Sequence, residues 1–286
     1  MSLPMPSSRM QFPDPIVVGG VGGSGTRLIA TCLDRMGVFM GHDLNDAHDN
    51  LWFTLLFKRP ETLDLSKDSF ETLTNIFLAA MTGSRALTGQ ERQLILGLAD
   101  HPRERPPQDW RQARAETLLR DWKPLSKGSP WGWKEPNSHV VLDRLITRFP
   151  HMKYIHVARN GLDMAYSSNQ NQIRFWGSHF LGQNVAINPR NSLRYWCSVH
   201  RRVIALGETM ANRMLFLNYD DFCRRPESWI PRLAGFSELS PCPKIIADLV
   251  RLTQIPRSTG RFRREGIEVF DREDVEFVRS LGFETN

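Results

Sequence analysis

Cysteine is scarce in this chain, and what there is does not pair by spacing. Cys32, Cys197, Cys223 and Cys242 are the four in 286 residues, too scattered for a disulfide framework or a zinc site. Long apolar runs are missing: no stretch approaches the roughly 20 residues a membrane-spanning helix needs. The segment from Met1 to Pro15 is polar and proline-rich, without the apolar centre of a signal peptide. A strong charge of one sign is also missing. The 37 basic and 31 acidic side chains leave a net +6, which suits an anionic small ligand but falls short of a nucleic-acid footprint. There is no internal repeat and no low-complexity tract. These absences predict a reduced, cytoplasmic protein with no nucleic-acid partner and no membrane span. Residues 1–14 read as a flexible lead-in, and 15–286 as a single α/β domain long enough to enclose a core.

What is present is organised around residues 16–37. Ile16-Val17-Val18 reads as a buried strand. Gly19-Gly20-Val21-Gly22-Gly23-Ser24-Gly25-Thr26-Arg27 follows, and Leu28, Ile29, Cys32, Leu33 and Met36 then recur at helical spacing. A strand, a glycine loop and a helix start aim backbone N–H groups and the positive end of a helix dipole at an anion. Three templates fit. Gly20, Gly22 and Gly25 match the G-x-G-x-x-G of a dinucleotide fold, with Asp43 near the place of its ribose-binding acid. Gly20 and Gly25 match the frame of a nucleotide-triphosphate loop, but Thr26 stands where its lysine belongs. The third template is Ser24-Gly25-Thr26 at the helix mouth.

Val38 to Gly41 reads as a short extended segment that can fold back over the same edge. It delivers His42, Asp43, Asn45, Asp46, His48 and Asp49, the densest group of acid/base side chains in the chain. They suit proton transfer, or else a polar loop in which Asn45 or Asp46 caps a helix through Leu51-Trp52-Phe53. Their spacing matches no recognised metal site. Residues 60–125 read as a helical lobe, with Thr88 and Glu91 as one capping box and Asp68 and Glu71 as another.

Two later stretches end in cations. Trp131 to Pro136 reads as a strand and turn that puts Lys134 at a carboxyl end, where open α/β sheets bind ligands. Asn137 or Ser138 then caps a helix. Lys153 to Ala158 is the clearest later strand and runs straight into Arg159, with Ser167 eight residues on. An arginine fork and a hydroxyl suit a phosphate. His156 reads as a satisfied buried histidine, and Asp163 as a structural partner near a helix start.

These motifs resemble those of the sulfotransferases that use 3′-phosphoadenosine 5′-phosphosulfate (PAPS). Ser24-Gly25-Thr26 is similar to the family's 5′-phosphosulfate loop, and Arg159-Asn160 with Ser167 to its 3′-phosphate motif. Trp133 to Pro136 is similar to the Lys-x-Pro segment between them. Leu193-Arg194-Tyr195-Trp196 resembles the family's tryptophan helix, Leu215 to Phe222 its strand ending in Tyr-Glu-Asp-Leu, and Ser258 to Arg263 its basic closing loop. The match touches about residues 15–55 and 130–270. Two departures stand out. Gly23 occupies a position where many members carry a cation, and Pro136 the position of the cytosolic members' histidine base.

The resemblance implies a P-loop-like parallel sheet of about five strands flanked by helices, with helical insertions at 45–125 and 170–210. It implies sulfuryl transfer from PAPS as co-substrate, without a metal, to a hydroxyl or amine of a small-molecule, carbohydrate or lipid acceptor. Gly22, Gly23, Ser24, Gly25, Thr26 and Arg27 would hold the phosphosulfate, and Arg159, Ser167 and Arg261 the 3′-phosphate. Lys134 would act on the leaving group, with Asp43, His42 or Asp46 as base and Glu135 behind them. Phe175-Trp176 and Trp52-Phe53 allow an aromatic or lipidic pocket. An NAD(P)-dependent oxidoreductase, built on the G-x-G-x-x-G reading, and a non-catalytic nucleotide-binding protein of the same fold remain as alternatives.

Overall fold

The computed structural model describes residues 12–102, 105–182 and 184–286. Its centre is a parallel sheet of four strands, one fewer than the sequence suggested, in the order β2-β1-β3-β4. Strand β1 (Ile16–Gly20) enters α1 (Thr26–Arg35) through the glycine loop. A helical lobe follows: α2 (Leu51–Phe57), α3 (Lys67–Thr82), α4 (Gly89–Asp100) and α5 (Gln108–Leu118). Then come β2 (Gly132–Lys134), α6 (Leu142–Arg148) and β3 (Lys153–Ala158). Helices α7 (Gly161–Ala165), α8 (Asn171–Leu181) and α9 (Pro189–Glu208) lead to β4 (Met214–Asn218). The chain closes with α10 (Tyr219–Arg224), α11 (Pro226–Phe236), α12 (Pro243–Leu252), α13 (Phe262–Glu265) and α14 (Arg272–Ser280). No helix among the described residues is long and apolar enough to cross a membrane.

The strands are buried on both faces, which is why they read as continuous apolar runs. Ile16, Val18, Ile155, Val157, Leu215 and Leu217 face α1 and α10–α12. Val17, Trp133, Tyr154 and Ala158 face the opposite layer, with the helical lobe and α9. Trp52, Phe53 and Trp176 belong to this second core, not to a pocket lining. Of the lead-in, residues 1–11 lie outside the described residues; Phe12 is buried, and the Trp131 indole donates to the Pro13 carbonyl at 2.7 Å.

Several helix starts differ from the sequence reading. The Thr88–Glu91 capping box is present on α4. Helix α3 is capped by Ser66 rather than Asp68, because it begins at Lys67. Helix α2 is capped by Asn50, not Asn45 or Asp46: its side chain accepts from Phe53 N at 3.0 Å. Glu135, not Asn137 or Ser138, caps the turn after β2, a 3-10 stretch over Pro136–Val141. Helix α7 ends at Ala165, so Ser167 lies beyond it.

Candidate active site

All four strands end at one edge, and the chain reverses there: from β1 it goes out to β2, then crosses back to β3. Such a switch point leaves a crevice at the carboxyl ends of the strands. Register places the motifs in it side by side. Val18 pairs with Lys134 and Gly20 with Val157. The glycine loop therefore sits between the segment carrying Lys134 and the one carrying Arg159.

The loop is built for close approach. Gly25 has φ 94° and precedes α1, which carries no side-chain cap and no acidic residue in its first turn. A Cβ on Gly25 would overlap the Tyr219 ring, so only glycine fits this position. Ser24 is fully buried and Thr26 nearly so; Gly23 and Arg27 are exposed and Gly22 half-buried. The Ser24 hydroxyl has no hydrogen-bond partner. Buried polar groups are rarely left unpaired, and one at a helix mouth marks a place for a ligand.

At the β3 end, the backbone is pinned while the side chain keeps one donor unused. The Trp196 indole donates to the Arg159 carbonyl at 3.1 Å, and Asn160 N to Asp220 at 2.8 Å. The Arg159 guanidinium donates to Ser258 Oγ at 2.8 Å, yet its Nε is buried without a partner. Asp163 ties the closing loop to this strand end. Its carboxylate accepts from Gly260 N at 2.8 Å and Phe262 N at 3.1 Å. Arg261 reaches the Asp163 carbonyl at 3.4 Å. Thr259 Oγ1 in the same loop is again unpartnered. Ser167 accepts from Asn169 N at 3.2 Å.

At the β2 end the arrangement is closed. Lys134 is 2% exposed. Its ammonium donates to the Ala47 carbonyl at 2.9 Å and forms a short ion pair with Asp49. Tertiary hydrogen bonds bring the 38–50 segment there: Gly132 N donates to the Phe39 carbonyl at 2.9 Å and Asn50 N to the Lys134 carbonyl at 2.7 Å. The other Asp49 oxygen accepts from Asn45 Nδ2 at 3.1 Å.

The acid/base side chains of 42–46 are placed differently. Asp43 accepts from Thr117 Oγ1 at 2.5 Å and pairs with Arg114 at 3.2 Å; it is not the free carboxylate a dinucleotide ribose needs. His42 stacks on Trp122 with 4.1 Å between ring centroids, and desolvation lowers its pKa. Asp46 is exposed on a turn. Glu135 accepts from Asn137 N and Nδ2 at 2.5 and 2.7 Å and pairs with Lys58 at 3.3 Å. The residue that sequence reasoning passed over is Asp49. Its only signal was membership of the acidic cluster. Among the described residues, no group of three or more His, Cys, Asp or Glu is placed to hold a metal.

Asp49 also lines a cavity of about 940 Å³ between α2 and α8. Gln172 and Asn137 on its wall hydrogen-bond each other at 2.8 Å, and Gln172 packs against Gly22. The cavity therefore adjoins the glycine loop, and a ligand in it can meet one held at the sheet edge.

Comparison with known proteins agrees with this geometry. A model described as the sulfotransferase family matches residues 15–242. The fold is similar to that of the sulfotransferase domain of the Synechococcus PCC 7002 olefin synthase, with TM-score 0.52, 15% identity and 96% of each chain covered. The sulfotransferase domain from the curacin biosynthetic pathway gives TM-score 0.49 and 12% identity over 96% of this chain and 99% of that one. A Mycobacterium avium sulfotransferase gives 0.44 and 16% over 84% and 67%. No curated protein sequence matches.

Proposed function

Since the chain belongs to the sulfotransferase family, we propose that it is an enzyme moving a sulfuryl group from PAPS to a hydroxyl or amine. The observation that supports PAPS is the pair of unsatisfied buried donors, Ser24 Oγ and Arg159 Nε, at the ends of adjacent strands. The residues fit the nucleotide: a glycine loop at an uncapped helix for one anionic group, an arginine with spare donors for another. Ser24, Thr26 and the backbone of 22–26 would hold the phosphosulfate. Arg159, Ser167 and Arg261 would hold the 3′-phosphate.

The bound donor supplies the sulfuryl group and a phosphate leaving group, so that the acceptor–sulfur bond forms as the sulfur–oxygen bond to phosphate breaks. The protein's part is positioning and charge. Lys134 uses two of its three N–H donors on Ala47 and Asp49, which leaves the third for the leaving oxygen. Asp49, in place of Asp43, Asp46 or His42, takes the acceptor's proton. It is the carboxylate that both touches Lys134 and lines the cavity.

The test is calorimetric binding of 3′-phosphoadenosine 5′-phosphate (PAP), adenosine 5′-phosphate and NAD to wild type and Arg159→Ala. PAP is expected to bind about 100-fold more weakly to the variant, the scale of losing a charge-assisted bidentate contact. Adenosine 5′-phosphate is expected to be indifferent to the change. A preference for NAD, or indifference to the 3′-phosphate, would overturn the assignment.

A further inference from the structure

Among the described residues, two guanidinium groups lining the cavity beside Asp49, those of Arg59 and Arg174, stand outside any ion pair. Two of its charged residues are accounted for. Asp49 is paired with Lys134, and Lys58 lies 3.3 Å from the fully buried Glu135. Arg59 is half-buried and, among the described residues, donates from Nε to the Leu56 carbonyl at 3.3 Å. Its guanidinium has no carboxylate within ion-pair distance among the described residues, and desolvation lowers its pKa despite Glu61 nearby. Arg174 stands exposed on the α8 side and, among the described residues, reaches the neutral Asn171 side-chain oxygen at 3.1 Å. The acids of the lining are Asp49 and Glu61.

Arg59 is partly desolvated with no paired carboxylate, which is costly, Arg174 is exposed, and the planar fork of each is suited to a carboxylate or sulfate. The walls between these cations are partly apolar, with Trp110 and Phe175. The volume is that of a pocket for a drug-sized molecule. We infer that the acceptor is an anionic hydroxyl compound. Arg59 and Arg174 hold its carboxylate or sulfate ester, Trp110 and Phe175 cover its ring or chain, and its hydroxyl meets Asp49. This inference rests on the sulfuryl-transfer reading for the fate of the hydroxyl, but not for the recognition of the anion.

Matched pairs separate the two. In 4-nitrophenyl β-D-glucuronide and β-D-glucoside the ring is the same and only the carboxylate differs; 4-hydroxybenzoate and 4-hydroxybenzyl alcohol form a second pair. Turnover with PAPS and direct calorimetric binding are both measured, on wild type, Arg59→Gln/Arg174→Gln and Arg59→Lys. The charged member of at least one pair is expected to bind at least about tenfold better in wild type, the scale of one charge-assisted hydrogen bond. In the double variant the ratio collapses towards one through KM, and in Arg59→Lys part of it returns. PAP affinity serves as the control for folding. No preference for the charged members in either pair, or a preference that survives the double change, would overturn the inference. Absence of PAP binding and of all turnover would sink the sulfuryl-transfer reading instead. In that case, arginine-dependent binding of the glucuronide would still support the anion site, and its absence would remove it.

Discussion

The ends of β2 and β3 hold the two cations to which the proposed reaction assigns roles, and they are opposites. Lys134 is almost fully buried, with an ion pair and a carbonyl already in place. Arg159 is half-buried, with its backbone fixed by Trp196 and Asp220 and its Nε unsatisfied. One end is closed before any ligand arrives; the other has hydrogen-bonding capacity in reserve. Binding free energy comes from contacts the free protein has not already made, so the β3 end is suited to affinity. A group held rigid in advance acts on charge that develops during reaction, so the β2 end is suited to rate.

The largest expected effect lies at the closed end. Lys134→Ala should lower kcat by about 10²- to 10³-fold, the scale of losing one preorganised charge donor, while PAP affinity changes little. Single-turnover kinetics beside calorimetry would check the split. A variant that lost PAP binding and kept kcat would reverse the roles of the two strand ends.

A second contrast involves orphan atoms. The Nε2 atoms of His139, His156 and His200 also lack partners, but in the core behind β3 rather than at its edge. Desolvation lowers all three pKa values, to about 3 for His139 and about 4 for His200. The unfolded chain, with histidine pKa near 6.5, therefore binds more protons in acid than the folded one. Their contribution is fully present above that pH and is lost as pH falls below it. At pH 6 the three together should remove about 2–3 kcal/mol relative to pH 8, from the histidine linkage. Urea midpoints at the two pH values, in wild type and His200→Phe, would check this. An unchanged pH slope in the variant would show that these nitrogens are satisfied in solution.

The smallest effect concerns the closing loop. Asp163→Asn leaves one amide oxygen as acceptor where Gly260 and Phe262 used two carboxylate oxygens. An unmet buried N–H costs about 1–3 kcal/mol, so PAP affinity should fall roughly tenfold with kcat nearly unchanged. Faster amide exchange at Gly260 and Phe262 would confirm the cause. Slow exchange and normal affinity would mean that the loop is held without the Asp163 carboxylate, through Arg159–Ser258 and the Arg261 contact to the Asp163 carbonyl.

Much of the fold, and the strand ends that carry the candidate site, were legible in the sequence. The glycine loop, the Arg159 strand end and the Thr88–Glu91 box are local: each works through neighbours a few residues apart. Even where a cap shifted, from Asp68 to Ser66 or from Asp46 to Asn50, the helix itself was read from its apolar spacing. Asp163 was read as a structural partner, and it is one, although what it holds is a loop 97 residues away. Which acid pairs with Lys134 was not legible. Six polar side chains in eight residues offered no internal reason to prefer Asp49 over Asp43.

The sequence by itself determined which strand ends carry a glycine loop, a lysine and an arginine, because β-strand runs and the turns that end them are written in consecutive residues. Tertiary structure decided which acid meets the lysine and which cations share a cavity. The Asp49–Lys134 pair spans 85 residues. It exists because hydrogen bonds from Gly132 and Asn50 fasten the 38–50 segment beside β2. Asp43, six residues earlier in the same loop, is turned instead to Thr117 and Arg114 of the helical lobe. Side-chain partners at that separation depend on how whole elements dock, and no periodicity or spacing within the loop encodes it.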